Sequence, residues 1–273
     1  MTKQKKHSSK RHAVRANKHL GQHFLSDETI ITRIVDSISP KEDEQLLEIG
    51  PGLGAITLPV LERVKKLSAI ELDQRVVPIL KKRARPLGKL TVIEQDALTI
   101  NYHQLLSGGH WRIFGNLPYN ISTPILFTLV AQPEVTEMIF MLQKEVVDRM
   151  VALPGEKHYG RLSVMLSYHH DVCRLFDVPP ESFSPPPKVM SAMVGLYRLH
   201  QPRWTVEDEA MFSKVVKQAF SMRRKTLRNA LKPLIDEQTL SSLNIDSSRR
   251  AEVIDGSDFA KIANYLTRRK QHE

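Results

Sequence analysis

The sequence predicts an α/β fold, with a mostly parallel sheet covered on both faces and a smaller all-helical part at the C-terminal end. Three observations carry this. Short runs rich in Ile, Leu and Val recur at 45–49, 67–72, 90–94, 111–115 and 138–142, and runs that are apolar throughout belong to strands buried on both sides. Between them lie stretches of helical spacing, such as 55–64 and 75–84, and strand–helix alternation is what parallel crossover connections require. From Val206 onward the pattern is helical.

Taken in order, residues 1–19 carry Lys3, Lys5, Lys6, Lys10, Arg11, Arg15 and Lys18 with no acid, and read as a flexible basic arm. Asp27 is placed to cap a helix whose apolar face is Ile30, Ile31, Ile34, Val35 and Ile38. The five apolar runs follow. Past Arg161 the regularity fades, and 172–178 and 192–199 read as two further strands, which brings the sheet to seven. Gln201-Pro202 reads as a linker. The expected division is an arm over 1–19, an α/β domain over 20–200 and a helical domain over 201–273.

Length and composition narrow the function. A chain of 273 residues predicts one large domain or two unequal ones, and a hydrophobic fraction of 41% is enough for a sizeable core. No apolar run approaches the roughly 18 residues of a membrane span, and no apolar stretch follows the basic start as a secretory leader would need. A cytoplasmic protein without a membrane partner is expected. Cys173 is the single cysteine, so no internal disulfide can form, and its expected place is a small buried hydrophobe. His169 and His170 lack metal-ligand spacing; a structural role and no metal are expected. The net charge of +10 favours a polyanionic partner. A second acid-free stretch contains Lys214, Lys217, Arg223, Arg224, Lys225, Arg228 and Lys232.

The chemistry concentrates at strand ends. Glu48-Ile49-Gly50-Pro51-Gly52-Leu53-Gly54 leads from a strand into a helix, where glycines let the backbone approach a ligand. The spacing is G-x-G-x-G, and Pro51 removes a backbone donor, which suits a ligand with less phosphate than a dinucleotide. Glu71 closes the second strand, where an acid accepts from ribose hydroxyls. Asp96 closes the third, where a carboxylate can accept from an adenine amine. The three together suit S-adenosylmethionine better than a nicotinamide cofactor. After the fourth strand comes Asn116-Leu117-Pro118-Tyr119. Amide and backbone carbonyls there can hold an exocyclic amine while the aromatic ring stacks on its plane.

With these residues in view, the chain resembles the small-subunit (16S) ribosomal RNA adenine N6-dimethyltransferase family over almost all of residues 18–269. The resemblance is carried by Gly21-Gln22-His23-Phe24-Leu25, the glycine loop, Asn116 through Pro124, and Tyr159-Gly160-Arg161-Leu162-Ser163. It continues in Phe183-Ser184-Pro185-Pro186-Pro187-Lys188-Val189 and in Arg223-Arg224-Lys225-Thr226-Leu227-Arg228-Asn229. It implies a Rossmann-like class I methyltransferase fold that converts S-adenosylmethionine to S-adenosylhomocysteine. It also implies dimethylation of N6 on two adjacent adenosines in the loop of the 3′-terminal hairpin of 16S rRNA, within the 30S subunit or its precursor, late in subunit biogenesis. By motif match, His23, Leu25, Gly50, Gly52, Glu71, Asp96 and Asn116 line the cofactor site; many relatives carry Asn where this chain has His23. Asn116, Leu117, Pro118, Tyr119 and Phe183 form the catalytic set, with Tyr119 and Phe183 as stacking faces. Lys188, Arg223, Arg224, Lys225 and Arg228 are the expected RNA contacts, and a monomer is expected.

Two alternatives remain beside this reading: an adenine methyltransferase acting on large-subunit rRNA, and a ribosome-assembly factor in which binding outweighs chemistry. A nicotinamide-dependent dehydrogenase is disfavoured for want of a suitable catalytic set.

Overall fold

A computed structural model describes residues 22–222 and 224–272. The strands in chain order are β1 (Phe24–Leu25), β2 (Gln45–Ile49), β3 (Lys66–Ile70), β4 (Lys89–Ile93), β5 (Trp111–Asn116), β6 (Val135–Gln143), β7 (His170–Val178), β8 (Phe183–Ser184) and β9 (Ser191–Arg198). Seven of them form one sheet in the order β4-β3-β2-β5-β6-β9-β7, and β1 pairs with β8 in a separate two-stranded ribbon. Strands β2 to β6 are joined in parallel, and β9 runs antiparallel to both of its neighbours. The basic arm of 1–19 lies outside the described residues.

The expected strands are all present. Strands β3 and β4 stop at Ile70 and Ile93, before Glu71 and Glu94, and β6 extends further at both ends than its apolar run. Asp27 caps the helix Glu28–Ile38 as its spacing predicts, its Oδ1 accepting from the amides of Thr29 and Ile30 at 3.0 and 3.2 Å. Ile31, Ile34, Val35 and Ile38 are the residues that helix buries.

Side chains alternate between the two faces of each strand, and the two sheet cores divide accordingly. Leu47, Ile113, Met138 and Phe140 belong to one cluster, while Leu46, Phe114, Ile139 and Met141 belong to the other. A third cluster gathers the C-terminal helices Glu209–Ala219, Leu227–Leu231, Glu237–Ser242 and Gly256–His272. It also takes in Val164 and Tyr168 from the helix Arg161–His169. Trp204 stacks on Tyr168 with ring planes 10° apart, so the helical part packs on the helix Arg161–His169 close to where the chain enters it.

One expectation is corrected. Cys173 is exposed, because β7 is the edge strand of the sheet and its side chain there faces solvent. His170 behaves as expected of a structural histidine. It is fully buried, neither ring nitrogen has a partner, and burial, helped by Arg198 and His169, drives its pKa down to about 3. None of the described helices is long and apolar enough to cross a membrane.

The topology places a site. After β4 the chain crosses back to lay β5 beside β2, so successive connections leave the β2–β5 pair in opposite directions. In open α/β sheets, ligands bind in the crevice beyond the carboxyl ends of the strands at such a reversal. The glycine loop and Asn116 both lie there.

Candidate active site at the carboxyl edge of the sheet

The glycine loop leaves β2 with Gly50, Gly52 and Gly54 at φ of 74°, 54° and 89°, a left-handed region that residues with a Cβ avoid. The loop is held from the next strand. Glu71 Oε2 accepts from the Gly52 amide at 2.9 Å, and Oε1 accepts from the Asp73 amide at 2.8 Å. Burial raises the Glu71 pKa, and those two amide bonds pull against it. Asp73 is the opposite case: the Arg75 guanidinium, bonded to both of its oxygens, holds its pKa down to about 2. Gln22 also donates to Asp73, at 2.9 Å, which ties the segment before β1 to the end of β3.

Asp96 sits half-buried past β4, with Oδ1 accepting from the Leu98 amide at 2.9 Å. Leu72 and Leu98 are 48% and 45% exposed beside these acids. Sequence reasoning missed both; the signal was an apolar residue one or two positions after each acid. It also passed over Glu48, which is buried at 1% exposure with Oε2 lacking any hydrogen-bond partner. Burial pushes its pKa up to about 8, against an offset from Thr57 and with a smaller contribution from the repulsion of Glu71.

Asn116 ends β5. Gly115 before it has no room for a side chain: a Cβ would stand 2.2 Å from the Ile49 carbonyl oxygen. That close approach brings the end of β5 against the glycine loop. Asn116 Nδ2 donates to the His23 carbonyl at 3.4 Å, with Oδ1 at the other end of the amide as an acceptor. Leu117 is buried and hydrogen-bonds the Met141 carbonyl through its amide. Tyr119 is half-buried, and its hydroxyl bonds Ser191 Oγ at 2.9 Å. Ser191, at the start of β9, is another residue the sequence did not single out. Phe183 pairs with Leu25 across the β1–β8 ribbon and is 4% exposed.

These elements enclose one cavity of about 930 Å³, bordered by Gly50, Glu71, Asp96, Asn116, Tyr119 and Phe183 among others. Ligand pockets span roughly 300–1,000 Å³, so there is room for a cofactor and part of an acceptor together. His23, Leu25 and Gly52 also line it. Every expected cofactor and catalytic residue is therefore at this one place.

The model of one family, ribosomal RNA adenine dimethylase, matches residues 13–268. The chain belongs to this family. It is 52% identical to the ribosomal RNA small subunit methyltransferase A of Dichelobacter nodosus, over 93% of this chain and 96% of that one. It is 48% identical to the protein of the same name from Proteus mirabilis, over 94% and 96%. Among solved structures, a dimethyladenosine transferase from Plasmodium falciparum superposes with a TM-score of 0.77 at 26% identity, covering 91% of this chain and 98% of that one. The 23S rRNA methyltransferase ErmE shares the fold, with a TM-score of 0.71 at 22% identity, over 89% and 99%.

The protein is thus an S-adenosylmethionine-dependent ribosomal RNA adenine dimethyltransferase, and its cavity fits that cofactor. The glycines leave a cradle open, and Glu71, Leu72, Asp96 and Leu98 border it.

Among the described residues, a basic cluster of this dimethylase lies in the helical part. Arg224 and Lys225 are exposed, while Arg223 falls outside the described residues. Arg228 is exposed but paired with Glu237 at 2.9 Å. Here the fold adds what the sequence separates: the Leu227 amide bonds the Arg249 carbonyl at 2.7 Å, and the Arg228 amide bonds the Ser247 carbonyl at 3.1 Å. Exposed Arg249 and Arg250 therefore stand beside the cluster. Lys188 is exposed on the loop between β8 and β9.

Proposed function

We propose that this enzyme dimethylates N6 of two adjacent adenosines in the loop of the 3′-terminal hairpin of 16S rRNA, acting as a cytoplasmic monomer on the small (30S) subunit or its precursor. The names of its relatives, small subunit methyltransferases that the chain matches along nearly its full length, support the choice of subunit. The observation that carries the chemistry is the fixed Asn116 amide at the cavity edge.

An adenine N6 is a poor nucleophile because its lone pair is delocalised into the ring. Asn116 Oδ1 and the Leu117 carbonyl accept the two N6 hydrogens, which bends the amine toward tetrahedral geometry and frees the lone pair. Pro118 fixes the turn, and Tyr119 stacks on the base. Positioning and matched electrostatics supply the rate. S-adenosylmethionine, when bound, supplies a methyl group activated on a sulfonium. Gly50, Gly52, Glu71, Asp96, His23 and Leu25 hold it, with Leu72 and Leu98 as flanks. After transfer the aminium loses its proton readily, so the site needs no dedicated base. A target in a hairpin loop leaves its stack at low cost.

Incubation with labelled S-adenosylmethionine and separated, undermethylated ribosomal subunits, followed by mapping of the modified nucleotides, tests the reading. Label on two adjacent adenosines of the small subunit is the expected result; label confined to the large subunit, or no label on the small subunit, overturns it. The helical part, 201–273, acts as the RNA-binding domain, gripping phosphates through Arg223, Arg224, Lys225 and Arg228, with Arg249, Arg250 and Lys188 alongside. Reversing Arg224 and Lys225 to Glu is expected to weaken small-subunit binding by tenfold or more and to flatten the slope of log affinity against log salt by about 2. An unchanged slope in a filter-binding titration would remove these residues from the interface.

A further inference from the structure

We propose that Asp73 is a positioning residue for S-adenosylmethionine: through the Gln22 side chain it holds the segment from Gln22 to Leu25 against the glycine loop. Gln22, His23, Phe24 and Leu25 border the cavity together with Gly52 and Glu71. The backbone does little to keep this stretch in place. Strand β1 is Phe24 and Leu25 alone, paired only with the equally short β8, and a two-stranded ribbon is marginal by itself. Side-chain ties therefore matter here. Gln22 Nε2 makes one of them, donating to Asp73 Oδ2 at 2.9 Å.

Asp73 is built to be an anchor. It is 4% exposed, and its carboxylate is saturated with donors. Oδ1 accepts from the Arg75 amide at 3.1 Å and from Arg75 Nε at 2.8 Å, while Oδ2 accepts from Arg75 Nη2 at 2.6 Å and from Gln22. With its pKa held down to about 2, chiefly by Arg75, it stays charged, and a hydrogen bond to a charged acceptor is the stronger kind. The same residue reaches the glycine loop by a second route. Its amide donates to Glu71 Oε1, and Glu71 Oε2 accepts from the Gly52 amide. A Cβ on Gly52 would stand 3.5 Å from Phe24 Cε1, so the Phe24 ring lies against that glycine. The circuit runs from Gln22 to Asp73, Glu71, Gly52 and Phe24, and the chain itself closes it. Asp73 is not among the residues that border the cavity. It acts through two that do, Gln22 and Glu71.

The test uses the full chain and S-adenosylmethionine without RNA, so the choice of ribosomal subunit does not enter. Gln22→Glu sets a second carboxylate against Asp73 and is expected to weaken donor binding in calorimetry by about tenfold or more. In the donor-free variant, amide hydrogen exchange over residues 22–26 should speed up. Gln22→Ala removes the bond without adding repulsion, and its loss should fall between Gln22→Glu and wild type. The decisive protein is the double variant Gln22→Glu with Asp73→Asn, which exchanges donor and acceptor: the new carboxylate accepts from the new amide, whose oxygen still faces Arg75. Donor affinity should return to within about threefold of wild type, and the slow exchange should return with it. In transfer assays with undermethylated small subunits, Gln22→Glu should raise KM for the donor by a larger factor than KM for the subunit. A merely structural role would lower the calorimetric stoichiometry and leave Kd alone. Asp73 loses the assigned role on that result, on a Gln22→Glu affinity within about twofold of wild type, or on a double variant that binds no tighter than Gln22→Glu by itself.

Discussion

Asn116→Ala is expected to bind S-adenosylmethionine within about threefold of wild type and to transfer methyl groups about 10²–10³ times more slowly. The two halves of this result come from different parts of one residue. A Cβ on Gly50 would stand 3.5 Å from the Asn116 carbonyl oxygen, so it is the Asn116 backbone that borders the glycine loop, and alanine keeps it. What alanine removes is Oδ1, one of two acceptors for the N6 hydrogens, and Nδ2, which holds the His23 carbonyl. The remaining Leu117 carbonyl is backbone, and buried Leu117 keeps it in place. The amine would then be gripped at one point and free to stay planar, with its lone pair in the ring. Calorimetry with the donor and single-turnover transfer to undermethylated small subunits separate the two halves. Turnover equal to wild type would remove Asn116 from the chemistry; a matching collapse in donor affinity would make it a cofactor residue only.

The strands and the cavity borders were legible in the sequence because both are written locally. A strand buried on two faces must be apolar along its length, and ligand-binding side chains at the switch point sit at strand ends. Gly50, Glu71, Asp96 and Asn116 could therefore be placed at the cavity by position alone. Contacts between distant segments were not legible. Nothing local in Ser191 says that its hydroxyl meets Tyr119, because their proximity depends on β9 inserting between β6 and β7. Arg249 joins Arg228 only through a loop-to-helix hydrogen bond pattern across some twenty residues. Cys173 is exposed although an unpaired cysteine ordinarily packs as a small buried hydrophobe, because edge position depends on sheet order. Glu48 gives no local sign of its burial, since a carboxyl in a strand reads as a half-exposed polar residue until the packing around it is seen.

Glu48→Gln is expected to make the protein more stable at pH 8 and to leave its stability unchanged at pH 4. Two carboxyls lie close at the cavity floor, and they are not equivalent. Glu71 accepts from two backbone amides, whereas Glu48 Oε2 has no partner. Charge settles on the carboxylate with donors, and the other keeps its proton. In the unfolded chain the Glu48 carboxyl ionises near its ordinary 4.5; in the folded protein it stays protonated to about 8. Between those values folding takes up a proton, so the stability of the wild type falls as pH rises through the window and is fully retained below it. Glutamine has the size of the protonated acid and cannot ionise, so the variant escapes this loss, by on the order of 4 kcal/mol at pH 8. His170, depressed to about 3, works in the other direction, destabilising the fold as pH drops below about 6.5. It does so equally in both proteins, which makes the difference between them the quantity to follow. Urea midpoints at pH 4, 6 and 8 should diverge steadily, with the variant unfolding later at each higher pH. Parallel curves would mean that Glu48 ionises in the native state as readily as in the unfolded chain.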